Sequence, residues 1–217
     1  MKIFIDFDDV IFNTKKFKKD LLEKVFIKNG ATKEDFSRTY HCFFVINKKN
    51  GKYYDPKKQI KALKKLENVE GEKLEKDFYR FIKDLKRYVF KDVLAFLEKI
   101  TEHEVFLISY GDPEFQKMKV KGSDVSDFFK KIILGKFNKI DFINNIIDKS
   151  RISSKEQTIL IDDLPKNLKK KGKFKARIKT FHLRRSEGRY GDLDCEDVDF
   201  EVKNLKEAEK IINSLSW

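Results

Sequence analysis

KIFIDFDDVIF, residues 2–12, joins a short apolar run to three acids, Asp6, Asp8 and Asp9. Lys2 to Ile5 has the length and composition of a buried strand, and the acids stand where that strand ends. The pattern comes back further along the chain. Val105 to Ile108 leads into Ser109, Ile132 to Leu134 into Lys136 and Lys139, and Thr158 to Ile161 into Asp162 and Asp163. Helical periodicity covers Lys91 to Ile100, the stretch opened by Asp112-Pro113, Ile140 to Ile147, Pro165 to Lys170 and Leu205 to Leu215, with one more strand at Ile178 to Leu183. Strands alternating with helices predict an α/β fold, a Rossmann-like parallel sheet covered on both faces.

Between the first strand and that alternation lies a stretch of different character. Asn13 and Thr14 open a helix with Phe17, Leu21, Val25 and Phe26 on one face, ended by Gly30. Thr32 and Asp35 have the spacing of a capping box, leading a helix through Phe36, Tyr40, Phe43 and Phe44. NKKNGKYY, residues 47–54, reads as a loop. Asp55-Pro56 starts a helix through Ile60, Leu63 and Leu66, and Gly71 starts another through Leu74, Phe78, Phe81, Ile82 and Leu85. Residues 14–88 therefore read as an α-helical insertion after the first strand, a cap on a core made of 1–13 and 89–217.

Hydrophobic residues make up 40% of the 217, with 21 Phe, which is enough for a packed core and excludes global disorder. No apolar run reaches the roughly 18 residues of a membrane span. The acids inside the opening run argue against a signal peptide. Cys42 and Cys195 lie far apart, so neither a disulfide framework nor a cysteine zinc site is expected. A cytoplasmic protein without a membrane partner is the expectation. Net charge is +13, but only eight of the 49 basic residues are Arg, the side chain that bidentate phosphate and base readers rely on. The lysines fall mostly between apolar residues at helical spacing, as on a solvated helix face. A nucleic-acid partner is the less favoured reading, although small anions would be attracted.

Ligands of open parallel sheets bind beyond the carboxyl ends of the strands. If the loops there share one edge, Asp6, Asp8, Asp9, Asp162 and Asp163 converge with Ser109 and one Lys. Like charges so close raise one another's pKa unless a cation intervenes. An all-oxygen cluster suits Mg2+, and none of the three histidines, His41, His103 and His182, is adjacent to it in sequence.

These residues resemble the motifs of the haloacid dehalogenase-like superfamily. DFDDVIFNT is similar to its first motif, FLIS at 106–109 to its second, and ILIDDLPKNL to its fourth, in the right order over nearly the whole chain. The resemblance implies a Mg2+-dependent phosphatase acting on a small phosphorylated substrate, with Asp6 as the nucleophile that becomes an aspartyl-phosphate. Asp8 would be the general acid and then base. An acid there marks the family's phosphatases and phosphotransferases, whereas its dehalogenases lack one. Ser109 would bind a phosphoryl oxygen, and Lys139 would neutralise the phosphate, with Lys136 as the alternative. Asp163 would bind the metal directly, with Asp162 as a ligand or an outer-shell partner, and Asp6 and the Asp8 carbonyl would complete the set. Asp9 replaces the family's usual Gly and reads as a turn cap.

Other readings stay open at this stage. A phosphotransferase or mutase would use the same Asp6. A non-catalytic or nucleic-acid-binding module would keep the fold and use the basic surface. Arg184, Arg185 and Arg189, around Gly188 and Gly191, read as a surface loop, with an anion or nucleic-acid contact as the less favoured reading.

Overall fold

A computed structural model describes residues 1–42, 44–47, 51–149, 157–169 and 178–215. Phe43, residues 48–50 and Lys170, to which expectations were attached above, lie outside them.

The chain runs β1 (Lys2–Ile5), α1 (Thr14–Leu21), α2 (Lys33–Cys42), β2 (Phe44–Asn47), β3 (Gly51–Tyr54), α3 (Pro56–Leu63), α4 (Gly71–Ile82), α5 (Val93–Lys99), β4 (Glu104–Tyr110) and α6 (Pro113–Gly122). It continues with β5 (Lys131–Gly135), α7 (Lys139–Lys149), β6 (Thr158–Asp162), α8 (Pro165–Leu168), β7 (Ile178–Leu183), β8 (Phe200–Val202) and α9 (Leu205–Ser214). Six strands form one sheet in the order β5-β4-β1-β6-β7-β8, and every neighbouring pair is parallel. This is the α/β Rossmann-like sheet expected, with β8 as an edge strand that its short run, Phe-Glu-Val, did not announce.

The pleat divides the core in two. Ile3, Ile5, Leu107, Ile159, Ile161 and Phe181 bury one face of the sheet together with Val93 and Phe96 of α5 and Leu205 and Ile212 of α9. Phe4, Ile108, Ile133, Leu160 and Ile178 bury the other face against Ile140, Ile143 and Ile147 of α7 and Leu168 of α8. Adjacent residues on a strand point to opposite faces, so a continuous apolar run is what a sheet covered on both sides needs.

Residues between β1 and β4 are mainly helical, with one correction. After α1 the chain passes through a π turn, Leu22–Phe26, and a 3-10 turn, Ile27–Asn29, to Gly30 at φ 94°. Helix α2 then stops at Cys42, and Phe44 lies in β2, paired antiparallel with β3 from Phe44 opposite Tyr54 to Asn47 opposite Gly51. The stretch read as a helix end and a loop is therefore a β-hairpin. Its two strands are only four residues each. The apolar core of this region continues into the sheet domain. Phe17 and Phe78 each have ring centroids 6.4 Å from that of Phe115 on α6, and Tyr54 packs on the same ring at 5.6 Å.

Candidate active site

Register fixes the site. Ile5 lies opposite Leu107 on β4 and Ile161 on β6, so the residues that follow these three strands leave the sheet at one edge. Asp6, Asp162 and Asp163 offer carboxylate oxygens that all lie within 4.8 Å of one another. All three are buried. The single cation among them is Lys139, at the start of α7. Its Nζ donates to Asp162 Oδ2 at 2.6 Å and stands 2.7 Å from Asp6 Oδ1. Of the two lysines left open by the sequence, Lys139 is the one brought into the cluster. Lys136 lies instead 3.7 Å from the ring centroid of Tyr53 in the hairpin.

The two members of the acidic pair differ. Asp162 is saturated: its oxygens accept from Lys139, from Asn167 Nδ2 at 3.1 and 3.2 Å, and from the Leu164 backbone N–H at 2.9 Å. Asp163 has a buried oxygen, Oδ2, with no hydrogen-bond partner. Burial and the neighbouring charges of Asp162 and Asp6 drive Asp163 well above the usual carboxylate range. Burial, with Asp162 and Asp8 nearby, lifts Asp6 to about 7 even though Lys139 pulls the other way. Carboxylates that hold protons for this reason fit a missing divalent cation, and Mg2+ takes an all-oxygen set of this kind. Asp6 and Asp163 are the side chains that would hold it, with Asp162 orienting Lys139 beside it. Ser109, at the end of β4, is 1% exposed and its hydroxyl has no partner. A dry, unpaired hydroxyl costs about 1–3 kcal/mol, which a bound oxygen atom would recover.

Asp8 sits apart from this cluster and is held by residues the sequence reading did not single out. Thr14 Oγ1 donates to its Oδ1 at 2.6 Å, Gln116 Nε2 to its Oδ2 at 2.8 Å, and Lys119 Nζ to Oδ1. Burial would raise Asp8, but Lys119 and Arg189 outweigh it and hold the carboxyl well below its ordinary range. Lys119, only 3% exposed, is the counter-ion of Asp8. Gln116 and Lys119 belong to the buried stripe of α6 with Phe115 and Val120. Two polar residues on an otherwise apolar helix stripe were the available signal.

The arginine loop is also more than surface. Arg185 is buried, donating through Nε and Nη2 to the Val10 carbonyl at 3.1 and 3.0 Å and through Nη2 to Asp92 at 2.9 Å. Arg189 Nε donates to Asp9 Oδ2. Asp9 adopts φ 59° and accepts the Thr14 backbone N–H at 3.2 Å, so it does cap the turn while also anchoring this loop. Opposite Asp162 on β7, His182 has its Nε2 3.1 Å from the Asp163 carbonyl and steadies that backbone without its ring joining the carboxylate cluster.

No family model and no curated protein matches the chain. Solved structures do, across nearly its full length. A protein from Burkholderia xenovorans LB400 described as a haloacid dehalogenase-like hydrolase superposes with a TM-score of 0.73 at 15% identity, over 98% of this chain and 96% of its own. YfnB of Bacillus subtilis, a HAD-hydrolase bound to magnesium, gives 0.61 at 16%, over 98% of both chains. The L-2-haloacid dehalogenase of Xanthobacter autotrophicus, with chloropropionic acid covalently bound, gives 0.59 at 12%, over 99% of both. The chain has the haloacid dehalogenase-like hydrolase fold.

Proposed function

We propose that this protein is a Mg2+-dependent phosphatase that hydrolyses a small phosphomonoester through an aspartyl-phosphate on Asp6. One observation carries the reading: three buried carboxylates lie within 4.8 Å of one another, and Lys139 pairs with only two of them, Asp6 and Asp162. That excess of negative charge calls for a divalent cation, which displacement of a halide by a carboxylate does not need. Mg2+, when bound, neutralises the phosphate and its attacking carboxylate.

The chain's own groups complete the cycle. An Asp6 oxygen attacks phosphorus as the bond to the leaving oxygen breaks, while Lys139 and the Ser109 hydroxyl hold phosphoryl oxygens. Asp8 starts as a carboxylate, so the proton for the leaving oxygen comes from Lys119 Nζ and passes through Asp8. Burial lowers the pKa of Lys119, which eases that donation. Water then attacks phosphorus, the bond to Asp6 breaks, and Asp8 takes the water's proton and returns it to Lys119. The helical residues 14–88 would form the cap over this site and exclude bulk water.

The test is hydrolysis of an aryl phosphate with and without Mg2+ by wild type and Asp6→Asn. Activity should require the metal and fall by roughly a thousandfold or more in the variant. Hydrolysis that persists in Asp6→Asn near the wild-type level overturns the nucleophile.

A further inference from the structure

Resting on that reading, the basic groups around the leaving-group side of the site say more about the substrate. Lys18 lies on α1, the first helix of the inserted region, and is half-buried. A half-buried ammonium normally has an acid beside it. Lys18 forms no ion pair among the described residues. Its Nζ lies 4.9 Å from the ring centroid of Tyr40 on α2.

Arg189 approaches from the opposite wall, in the loop after β7. Only its Nε is engaged, on Asp9, and its guanidinium lies 5.1 Å from the Tyr190 ring centroid. Its two terminal nitrogens donate to no described residue, which leaves the fork open. The side chain keeps 29% of its surface exposed, so those donors are reachable. Lys18 is within electrostatic reach of Arg189, Asp8 and Asp9, and Tyr190 of Arg189, Asp9, Asp163 and Tyr40, so these side chains gather around the same acids. Burial and the like charge of Arg189 lower Lys18 to about 8. Asp9 pairs with Arg189, but no described acid pairs with Lys18, so an anion that reaches both offsets the burial of the ammonium and fills the open donors of the fork.

Lys119 and Lys139 do not compete for this role, because Asp8 takes the first and Asp6 with Asp162 the second. Lys18 and the Arg189 fork remain. They come from different parts of the chain, residues 14–21 and the loop after β7, so a ligand that bridges them is held by both walls at once.

We infer that Lys18 and Arg189, flanked by Tyr40 and Tyr190, form a subsite for a second anionic group on the leaving alcohol. The substrate is then a phosphomonoester that also carries a carboxylate or a second phosphate. The transferred phosphoryl group sits on Asp6, Ser109 and Lys139, and the second anion sits beyond Asp8, between the ammonium and the guanidinium fork.

Matched substrates separate this from the general phosphatase reading. With Mg2+ present, kcat/KM is measured for 3-phosphoglycerate against glycerol 3-phosphate, and for fructose 1,6-bisphosphate against fructose 1-phosphate. Wild type should prefer the charged member of at least one pair by about 10- to 100-fold, the size expected of hydrogen bonds to charged groups. Whichever pair shows the preference identifies carboxylate or phosphate as the second group. Lys18→Met should collapse that ratio, and Lys18→Arg should restore much of it. A ratio near one in wild type, or one unchanged in Lys18→Met, overturns the subsite.

Binding is read separately on Asp6→Asn, by calorimetric titration of 3-phosphoglycerate and of fructose 1,6-bisphosphate with and without the added Lys18→Met change. Weaker binding of either ligand in the double variant upholds the subsite even if wild type hydrolyses none of these compounds, an outcome that would sink only the phosphatase reading. Equal binding of both ligands by the two proteins overturns the subsite. Circular dichroism of each variant checks that the fold is intact.

Discussion

Asp8 shows how much of a catalytic residue's character is set by its neighbours. Its position after β1 was legible from DFDD, but its charge state was not, because Lys119 lies 111 positions away in a chain where lysines are everywhere. In the structure that lysine is buried and Asp8 is the acid it pairs with. Removing one member of a buried ion pair costs about 3–5 kcal/mol, chiefly because the other charge is stranded. Lys119→Met should therefore lower unfolding stability in urea by about that amount and reduce turnover, with Thr14 and Gln116 left to hold a carboxylate of raised pKa. The double variant Lys119→Met/Asp8→Asn should regain part of the stability but none of the activity. If the double variant is as unstable as the sum of the singles, the pair is not coupled as described. Lys139 was easier to find, since it directly precedes a helix after β5, and the structure puts it on Asp6 and Asp162.

At the scale of elements, the sheet was readable because each strand is a short apolar run ended by chemistry-bearing residues. The hairpin was not. Phe43 and Phe44 continue the helical spacing of Phe36 and Tyr40, and that local pattern hid a strand whose partner, Gly51–Tyr54, looks like a loop. Tertiary packing of Tyr54 on Phe115 and Tyr40 outweighed it. The arginine loop was misread for a similar reason: nothing local indicates that Arg185 reaches the Val10 carbonyl. Helix α6 ties these pieces together. It carries Gln116 and Lys119 to Asp8, and its last residue, Gly122, accepts a hydrogen bond from Leu85 N at 2.7 Å. A Cβ on Gly122 would lie 2.2 Å from the Ile82 carbonyl oxygen at the end of α4. Gly122→Ala must push α4 and α6 apart, so we expect a loss of about 1–3 kcal/mol in thermal or urea unfolding together with lower kcat. A variant of unchanged melting temperature would show that the two helices are not in such close register.

For the whole molecule, the acidic cluster couples folding, pH and metal. In the metal-free fold burial lifts Asp6 to about 7, well above the ordinary carboxylate range. Folding therefore takes up a proton, and this group's contribution makes the metal-free protein less stable as pH rises from about 4 to about 7, levelling off above. Mg2+ binds the ionised form and must displace that proton below pH 7. The rise in melting temperature produced by Mg2+ should be larger at about pH 8 than at about pH 5.5, and EDTA should abolish it. An equal rise at both values would mean that the ion binds elsewhere. No helix among the described residues is long and apolar enough to cross a membrane.

The Lys136–Tyr53 contact joins the residue that follows β5 to strand β3 of the hairpin. Both side chains are half-buried, and a cation–π pair of that kind is worth about 0.5–2 kcal/mol. A contact of that size ties strand and loop together only loosely, and a tyrosine whose surroundings change when the two part makes the event visible by its own fluorescence.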